Sequence, residues 1–286
     1  MSDSVTEQAH AKANLFLRVL AREADGYHSL ETLFCRLELA DTLTVRREAG
    51  QGVTLEVEGG ECGPAAENLA VRGAEAILQL VRKPFAVHLT LSKRIPVGAG
   101  LGGGSADGAA ALRAVNQLAD NSVARAEVFH LAARLGADVP FCFSQASLAL
   151  GWGHGERLMA LPALPSAPVL LVTPPVAVGT AEAYNWLDGA RSTTVRRGAL
   201  ALDGGALTTW SDVARMAGND FESVVFGRIP QVREAFEALA RTGPLLCRMT
   251  GSGSTLIAVY RTERERDDAR MALGKKHGTL TATRTS

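Results

Sequence analysis

The chain has 286 residues, 47% apolar and 21% charged, the proportions of an ordinary globular protein with room for one large domain or two of medium size. Thirty basic residues balance thirty acidic ones, so composition argues against bulk electrostatic attraction to nucleic acid or to a membrane surface. No apolar run is long enough to span a bilayer. The four cysteines (Cys35, Cys62, Cys142 and Cys247) form no C-x-x-C pair, so they read as reduced thiols of a soluble, cytoplasmic protein rather than as a metal site.

Taken in chain order, residues 1–8 are polar and residues 13–20 read as a strand, preceded by Ala11-Lys12-Ala13-Asn14. A lysine and an asparagine among small apolar residues are unusual at a strand start, although a solvated lysine is the plain alternative. Asp25-Gly26 signals a turn before Tyr27-His28. Residues 30–43 read as one or two strands broken at Ala40-Asp41, and 53–57 as another. A helix is predicted from Glu67 to about Val81, stopped by Pro84, followed by a strand over 85–95 that ends on the basic pair Lys93-Arg94.

Next comes Pro-Val-Gly-Ala-Gly-Leu-Gly-Gly-Gly-Ser-Ala, residues 96–106, with five glycines in seven positions, and then an alanine-rich helix predicted over 106–118. Without side chains to shield it, the backbone can close on a ligand at a point where a helix N-terminus adds partial positive charge; that combination favours a phosphate. No Gly-Lys-Ser/Thr ends the stretch, so it is not a Walker loop. Gly98, Gly100 and Gly103 formally satisfy Gly-x-Gly-x-x-Gly, but about ninety residues precede it and Asp120 lies in a polar turn, which argues against a dinucleotide fold. A plain glycine turn is the remaining alternative.

A second amphipathic helix spans 124–135. It ends in Gly136-Ala137-Asp138-Val139-Pro140, where Gly136 caps, Pro140 forbids continuation, and Asp138 falls on a constrained turn that its carboxylate could simply hold. A strand over 147–152 enters a Gly-Trp-Gly-His-Gly turn. The proline-rich stretch 161–168 predicts a boundary between an N-terminal unit, residues 1–160, and a C-terminal unit, 161–286. Beyond it come a buried-type strand over 169–173, a helix over 180–187 capped by Thr180, and a polar, loosely ordered excursion over 188–212. Helices from Asn219 and over 230–241, a strand–glycine turn–strand over 245–260, a helix over 263–276 and a strand over 278–283 complete a small α+β unit.

Ala11-Lys12-Ala13-Asn14-Leu15, the loop 96–106 and residues 249–255 resemble, in order and spacing, the three signature segments of the GHMP small-molecule kinases. The Asp25-to-His28 and 135–141 segments resemble the branch of that family acting on a cytidine diphosphate derivative. The resemblance covers about 11–260, and is thin between 165 and 217. It implies an α+β, two-domain fold: an N-terminal nucleotide-binding domain, a C-terminal ferredoxin-like domain, and the site in the cleft between them. It implies ATP as phosphoryl donor with Mg²⁺ carried on it, no metal site in the protein itself, a small-molecule substrate, and a monomer or weak homodimer.

By the same resemblance Pro96, Val97, Gly98, Ala99, Gly100, Leu101, Gly102, Gly103, Gly104, Ser105 and Ala106 bind ATP, and Lys12 and Asp138 form the catalytic pair. Asn14, Tyr27, His28, Thr180, Gly251 and Ser252 contact substrate. Tyr184 is the expected second aromatic over the base. Asp107, beside the phosphates, has no role in this reading.

Overall fold

The structure, a computed structural model, describes residues 3–24, 26–60, 62–83, 85–191, 205 and 207–286. Asp25, Pro84 and most of the expected 188–212 excursion lie outside the described residues.

Two long antiparallel strands, β1 (Ser4–Arg22) and β2 (His28–Glu48), form the spine of the first sheet. Both exceed the predicted lengths. The polar residues 4–8 join β1 because Thr6 and Gln8 pair through their side chains with Thr44 and Thr42 on the solvent face. The expected break at Ala40-Asp41 is absent. Asp41 is wholly buried inside β2, and its carboxylate is filled by the amides of Arg94 and Ile95 at 2.5 and 2.8 Å and by Lys93 Nζ at 2.5 Å.

Strand β3 (Val53–Glu58) runs parallel to β4 (Ala86–Ser92), which pairs with the C-terminal half of β2; β5 (Leu148–Gly153) pairs with the N-terminal half, and β6 (Arg157–Leu161) with β5. The sequence reading missed β6, whose residues are largely exposed and carry no clean alternation. Helices α1 (Leu69–Leu78), α2 (Gly103–Leu118) and α3 (Arg125–Leu135) cover one face through Ile77, Leu112, Val115 and Val128, packed on Leu43, Val45 and Leu89. The glycine-rich run itself forms the first turn of α2, three residues earlier than predicted. Pro140 does not break a helix but sits in the first turn of α4 (Val139–Ser144), where no intrahelical N–H is needed.

The second half places β7 (Pro168–Thr173), β9 (Leu246–Met249), β10 (Leu256–Val259) and β11 (Thr279–Arg284) in one antiparallel sheet of order β11-β7-β10-β9. Helices α5 (Thr180–Ala190), α6 (Trp210–Met216), α7 (Phe221–Arg228) and α8 (Pro230–Ala240) lie between β7 and β9 in sequence, and α9 (Glu263–Leu273) between β10 and β11. Counting the helices between β7 and β9 as one crossover, this is the β-α-β-β-α-β order of a ferredoxin-like unit. The two-residue strand β8 (Gly218–Asn219) leaves it to pair with β1 of the first sheet. Thr180 is not the cap of α5 but its first residue; Gly179 holds the cap position and the Thr180 hydroxyl pairs with Ser252 Oγ at 3.1 Å.

Between the two sheets a core of Leu15, Leu33, Leu37, Leu171, Ile257 and Val259 also takes in Ile95, Ala99 and Leu101. The glycine loop is therefore pinned at three points to the interior that joins the halves.

Helices α1 and α2 approach closely enough that a Cβ on Gly73 would lie 2.8 Å from the Gly108 carbonyl oxygen. Gly108, costly in a helix interior by propensity, is explained by the same approach, since its own Cβ would meet Leu69 at 3.1 Å. Gly73→Ala is expected to cost about 1–3 kcal/mol of stability through overpacking. Thermal denaturation checks it, and an unchanged midpoint would show that the contact yields freely.

Candidate active site

The loop between β4 and α2 takes its path from backbone geometry that side chains resist. Gly98, Gly100 and Gly102 have φ of +69°, +77° and +68°. A Cβ on Gly100 would stand 2.7 Å from the Thr250 carbonyl oxygen, and one on Gly102 would stand 2.8 Å from Lys12 Cγ. The loop is thus pressed between β1 and the turn joining β9 to β10, and the Lys12 amide donates to the Leu101 carbonyl at 2.9 Å. Over the start of α2 a cavity of about 320 Å³ opens, walled by the glycine loop with Asn68, Leu69 and Lys93. A helix N-terminus carrying unshielded amides beside a lysine suits a polyphosphate.

Lys12 and Asp138 meet across this region although they are distant in sequence. On β1 the register slips between His10 and Lys12 and again between Asn14 and Phe16, and such irregularities re-aim side chains from the regular alternation. Lys12 Nζ lies 3.0 Å from Asp138 Oδ2, with 5% of the lysine side chain and 31% of the aspartate exposed. Asp138 occupies the position before the first turn of α4, yet its side chain makes no capping bond, so the turn-holding alternative does not describe it. Its carboxylate faces a cavity of about 260 Å³ shared with Lys12, Asn14, Ser105, Thr180 and Ser252.

Asn14 is held on both sides of its amide. Its Oδ1 accepts from Lys12 Nζ at 2.8 Å and from the Gly251 amide at 3.1 Å, while Nδ2 donates to Thr32 Oγ1 at 2.7 Å. The side chain fixes the lysine to the second glycine turn while lining the cavity at Asp138. Asn219, at the end of β8, donates from Nδ2 to the Met249 and Gly251 carbonyls at 2.7 and 2.8 Å and holds that turn from below. Gly251 lies against the first loop, its Cβ position 3.2 Å from the Gly100 carbonyl oxygen.

A larger cavity, about 740 Å³, adjoins and shares Ala137, His154, Thr180 and Tyr184 with the one at Lys12. Tyr27, 65% exposed, stacks on His154 with ring centroids 5.1 Å apart. His28 is buried; it stacks on Tyr184 at 4.6 Å and its Nε2 pairs with Asp188 Oδ1 at 2.8 Å. Tyr184 in turn meets the edge of Phe221, and burial, aided by Asp138, pushes its hydroxyl up to about 12. Apart from the loop residues, the expected positions thus gather in two adjoining cavities, with the Nε2 of His28 bonded to Asp188.

Sequence reasoning missed His154 and Asp188, the first in a turn read only as glycine-rich, the second at the edge of a segment read as loosely ordered. It also missed that Lys93 bridges Asp41 and Asp107 at 2.5 and 2.7 Å. Burial pushes the Asp107 carboxyl up to about 7, with Lys93 opposing and Asp41 adding to the rise. Burial works against the Lys93 ammonium, but Asp107 and Asp41 outweigh it and hold its pKa above the ordinary lysine value. The signal was present as a basic residue at the end of β4 and an unexplained acid after the loop.

Comparison with known proteins identifies the family. The family GHMP kinases N terminal domain matches residues 68–146, and GHMP kinases C terminal matches 201–279. A 4-diphosphocytidyl-2-C-methyl-D-erythritol kinase of Solibacter usitatus is 38% identical over 268 residues, covering 90% of this chain and 83% of the relative. One of the same name from Parvibaculum lavamentivorans is 37% identical, covering 97% and 96%. A crystal structure of 4-(cytidine 5'-diphospho)-2C-methyl-D-erythritol kinase superposes with a TM-score of 0.81 at 34% identity, covering 99% of this chain and 100% of that one. A homoserine kinase from Cytophaga hutchinsonii, TM-score 0.73 at 21% identity, shares the fold. With both family segments matched in order and near-full-length relatives above 30% identity, the chain belongs to the GHMP kinases.

Proposed function

We propose that the protein transfers the γ-phosphoryl group of ATP to the 2-hydroxyl of 4-diphosphocytidyl-2-C-methyl-D-erythritol, a step of non-mevalonate isoprenoid precursor synthesis. The observation that carries this reading is the Lys12–Asp138 pair, 3.0 Å apart, placed between a glycine-loop cavity on one side and an aromatic cavity on the other. The names of the near-full-length relatives supply the substrate.

Each residue has a chemical task in this reading. The loop amides from Gly98 to Ser105 hold the triphosphate, and Asn68 and Leu69 border the same cavity where the rest of the nucleotide has room. ATP with its Mg²⁺ supplies the phosphoryl group. Asp138 accepts the proton of the substrate hydroxyl, and Lys12, paired with that carboxylate, offsets negative charge on the moving group. Asn14 orients Lys12 through the 2.8 Å bond to its Nζ. Tyr27 and Tyr184 offer aromatic faces to a cytosine, with His28 between them and Thr180 and Ser252 toward the diphosphate. We place the division between the two units at 160/161, at the last residue of β6 and just before the proline-rich link to β7.

Another GHMP kinase activity is the second reading. The homoserine kinase likeness supports only the shared fold, while the Tyr27, His28 and Tyr184 cluster favours a ligand carrying a base. A silent nucleotide-binding relative would have no chemical need for a buried lysine aimed at an aspartate. Mixing protein, Mg²⁺, ATP and the cytidyl substrate should release ADP stoichiometrically with substrate phosphorylation; release only with homoserine or mevalonate would move the assignment within the family.

Asp138→Asn should lower kcat by about 10²–10⁴-fold while leaving the Kd for ATP within a small factor. Unchanged turnover would remove Asp138 from its role. Tyr27→Ala should raise KM for the cytidyl substrate by roughly tenfold, the size of one base–aromatic stack, and leave KM for ATP alone. Equal shifts in the two KM values would place the base elsewhere.

A further inference from the structure

Beside the glycine loop, three ionisable side chains share a dry site whose charges do not balance. Asp41, Lys93 and Asp107 are each at most 5% exposed, and two carboxylates flank one ammonium. Asp41 is needed by the fold, because besides Lys93 it binds the amides of Arg94 and Ile95 where β4 turns into the loop. Asp107 is not needed in that way. Its Oδ2 takes a hydrogen bond from Lys93, an ammonium that Asp41 already pairs. Among the described residues its Oδ1 is buried with no hydrogen-bond partner, a costly condition for a carboxylate. A neutral side chain of the same shape would remove the surplus charge.

The location of this surplus charge gives it a use. Asp107 is on the second turn of α2 and lines the same cavity as the loop amides and Lys93, whose Nζ stands 3.4 Å from the Cβ position of Gly103. The other charged or titratable groups facing it are the Cys62 thiol and Glu67 in the cavity wall and the Cys142 thiol from α4. None of them is a cation that could offset it.

We propose that Asp107 is a positioning residue that weakens the grip on nucleotide: it shares Lys93 with Asp41, so withholds part of that ammonium from the phosphates, and places a repulsive charge beside them. The consequence is faster departure of the spent nucleoside diphosphate. This rests on the glycine loop being the nucleotide site, as proposed above.

The test is binding of ADP, and of a non-hydrolysable ATP analogue, with Mg²⁺ to the whole protein by calorimetry and stopped flow at pH 8.5. Asp107→Asn should bind ADP about three- to tenfold more tightly, with the dissociation rate slowed to match, the range one partly screened charge near a polyanion commands. KM for the cytidyl substrate should not move. A residue that merely supports the fold would give the opposite sign or no change, so equal or weaker ADP binding by the folded variant overturns the proposal. Asp107→Ser provides a second removal of the charge. If neither variant folds, the carboxylate is a requirement of the fold and the proposal is likewise overturned. Failure of the wild-type protein to bind ADP at all would sink the nucleotide assignment of the loop instead.

Discussion

One buried ammonium organises the centre of this molecule. Lys12 Nζ, almost without solvent, is held by Asn14 Oδ1 at 2.8 Å and by Asp138 Oδ2 at 3.0 Å. A lysine in a dry site is tolerated only when paired and hydrogen-bonded, so these partners are conditions of the fold. Each partner then recruits others. Asn14 reaches the second glycine turn through Gly251, Asp138 stands at the position just before α4, and the Lys12 stem closes the space that a side chain at Gly102 would need. Two glycine turns more than a hundred residues apart in sequence are thereby set against each other with β1 between them.

This arrangement also explains why the two halves of the chain form one site. The ferredoxin-like sheet contributes the turn at Gly251 and the helix that begins at Thr180; the larger sheet contributes the loop, the lysine and the aspartate. The inter-sheet core that includes Ala99 and Leu101 ties the loop to both. Close packing transmits displacement, so a shift of one sheet against the other would change the distance between the glycine turns before it changed either sheet.

Much of this was legible in the sequence, and the parts that were not share a physical cause. Glycine density, the alanine-rich helix after it and the Gly-Ala-Asp-Val-Pro turn are local patterns, and local patterns report a tight backbone path and chain reversal directly. Asp41 was misread because its type predicts a turn; only the folded chain supplies the two amides and the lysine that let a carboxylate sit inside a strand. Thr180 was misread for a similar reason, its hydroxyl being claimed by Ser252 from the other end of the domain rather than by its own helix. Asn14 shows the same limit from the functional side. Residue type marked it as polar and out of place on a strand, but not that its carbonyl oxygen ties Lys12 to the Gly251 amide.

The pairing of His28 with Asp188 extends this reasoning to the aromatic cavity. The bond at Nε2 and the stack on Tyr184 hold the imidazole against α5, so a side chain at the start of β2 in the first sheet is fixed by two residues of a helix from the second half. The wall of that cavity is therefore built from both halves of the chain, and a displacement of α5 would change its shape and the setting of His28 together.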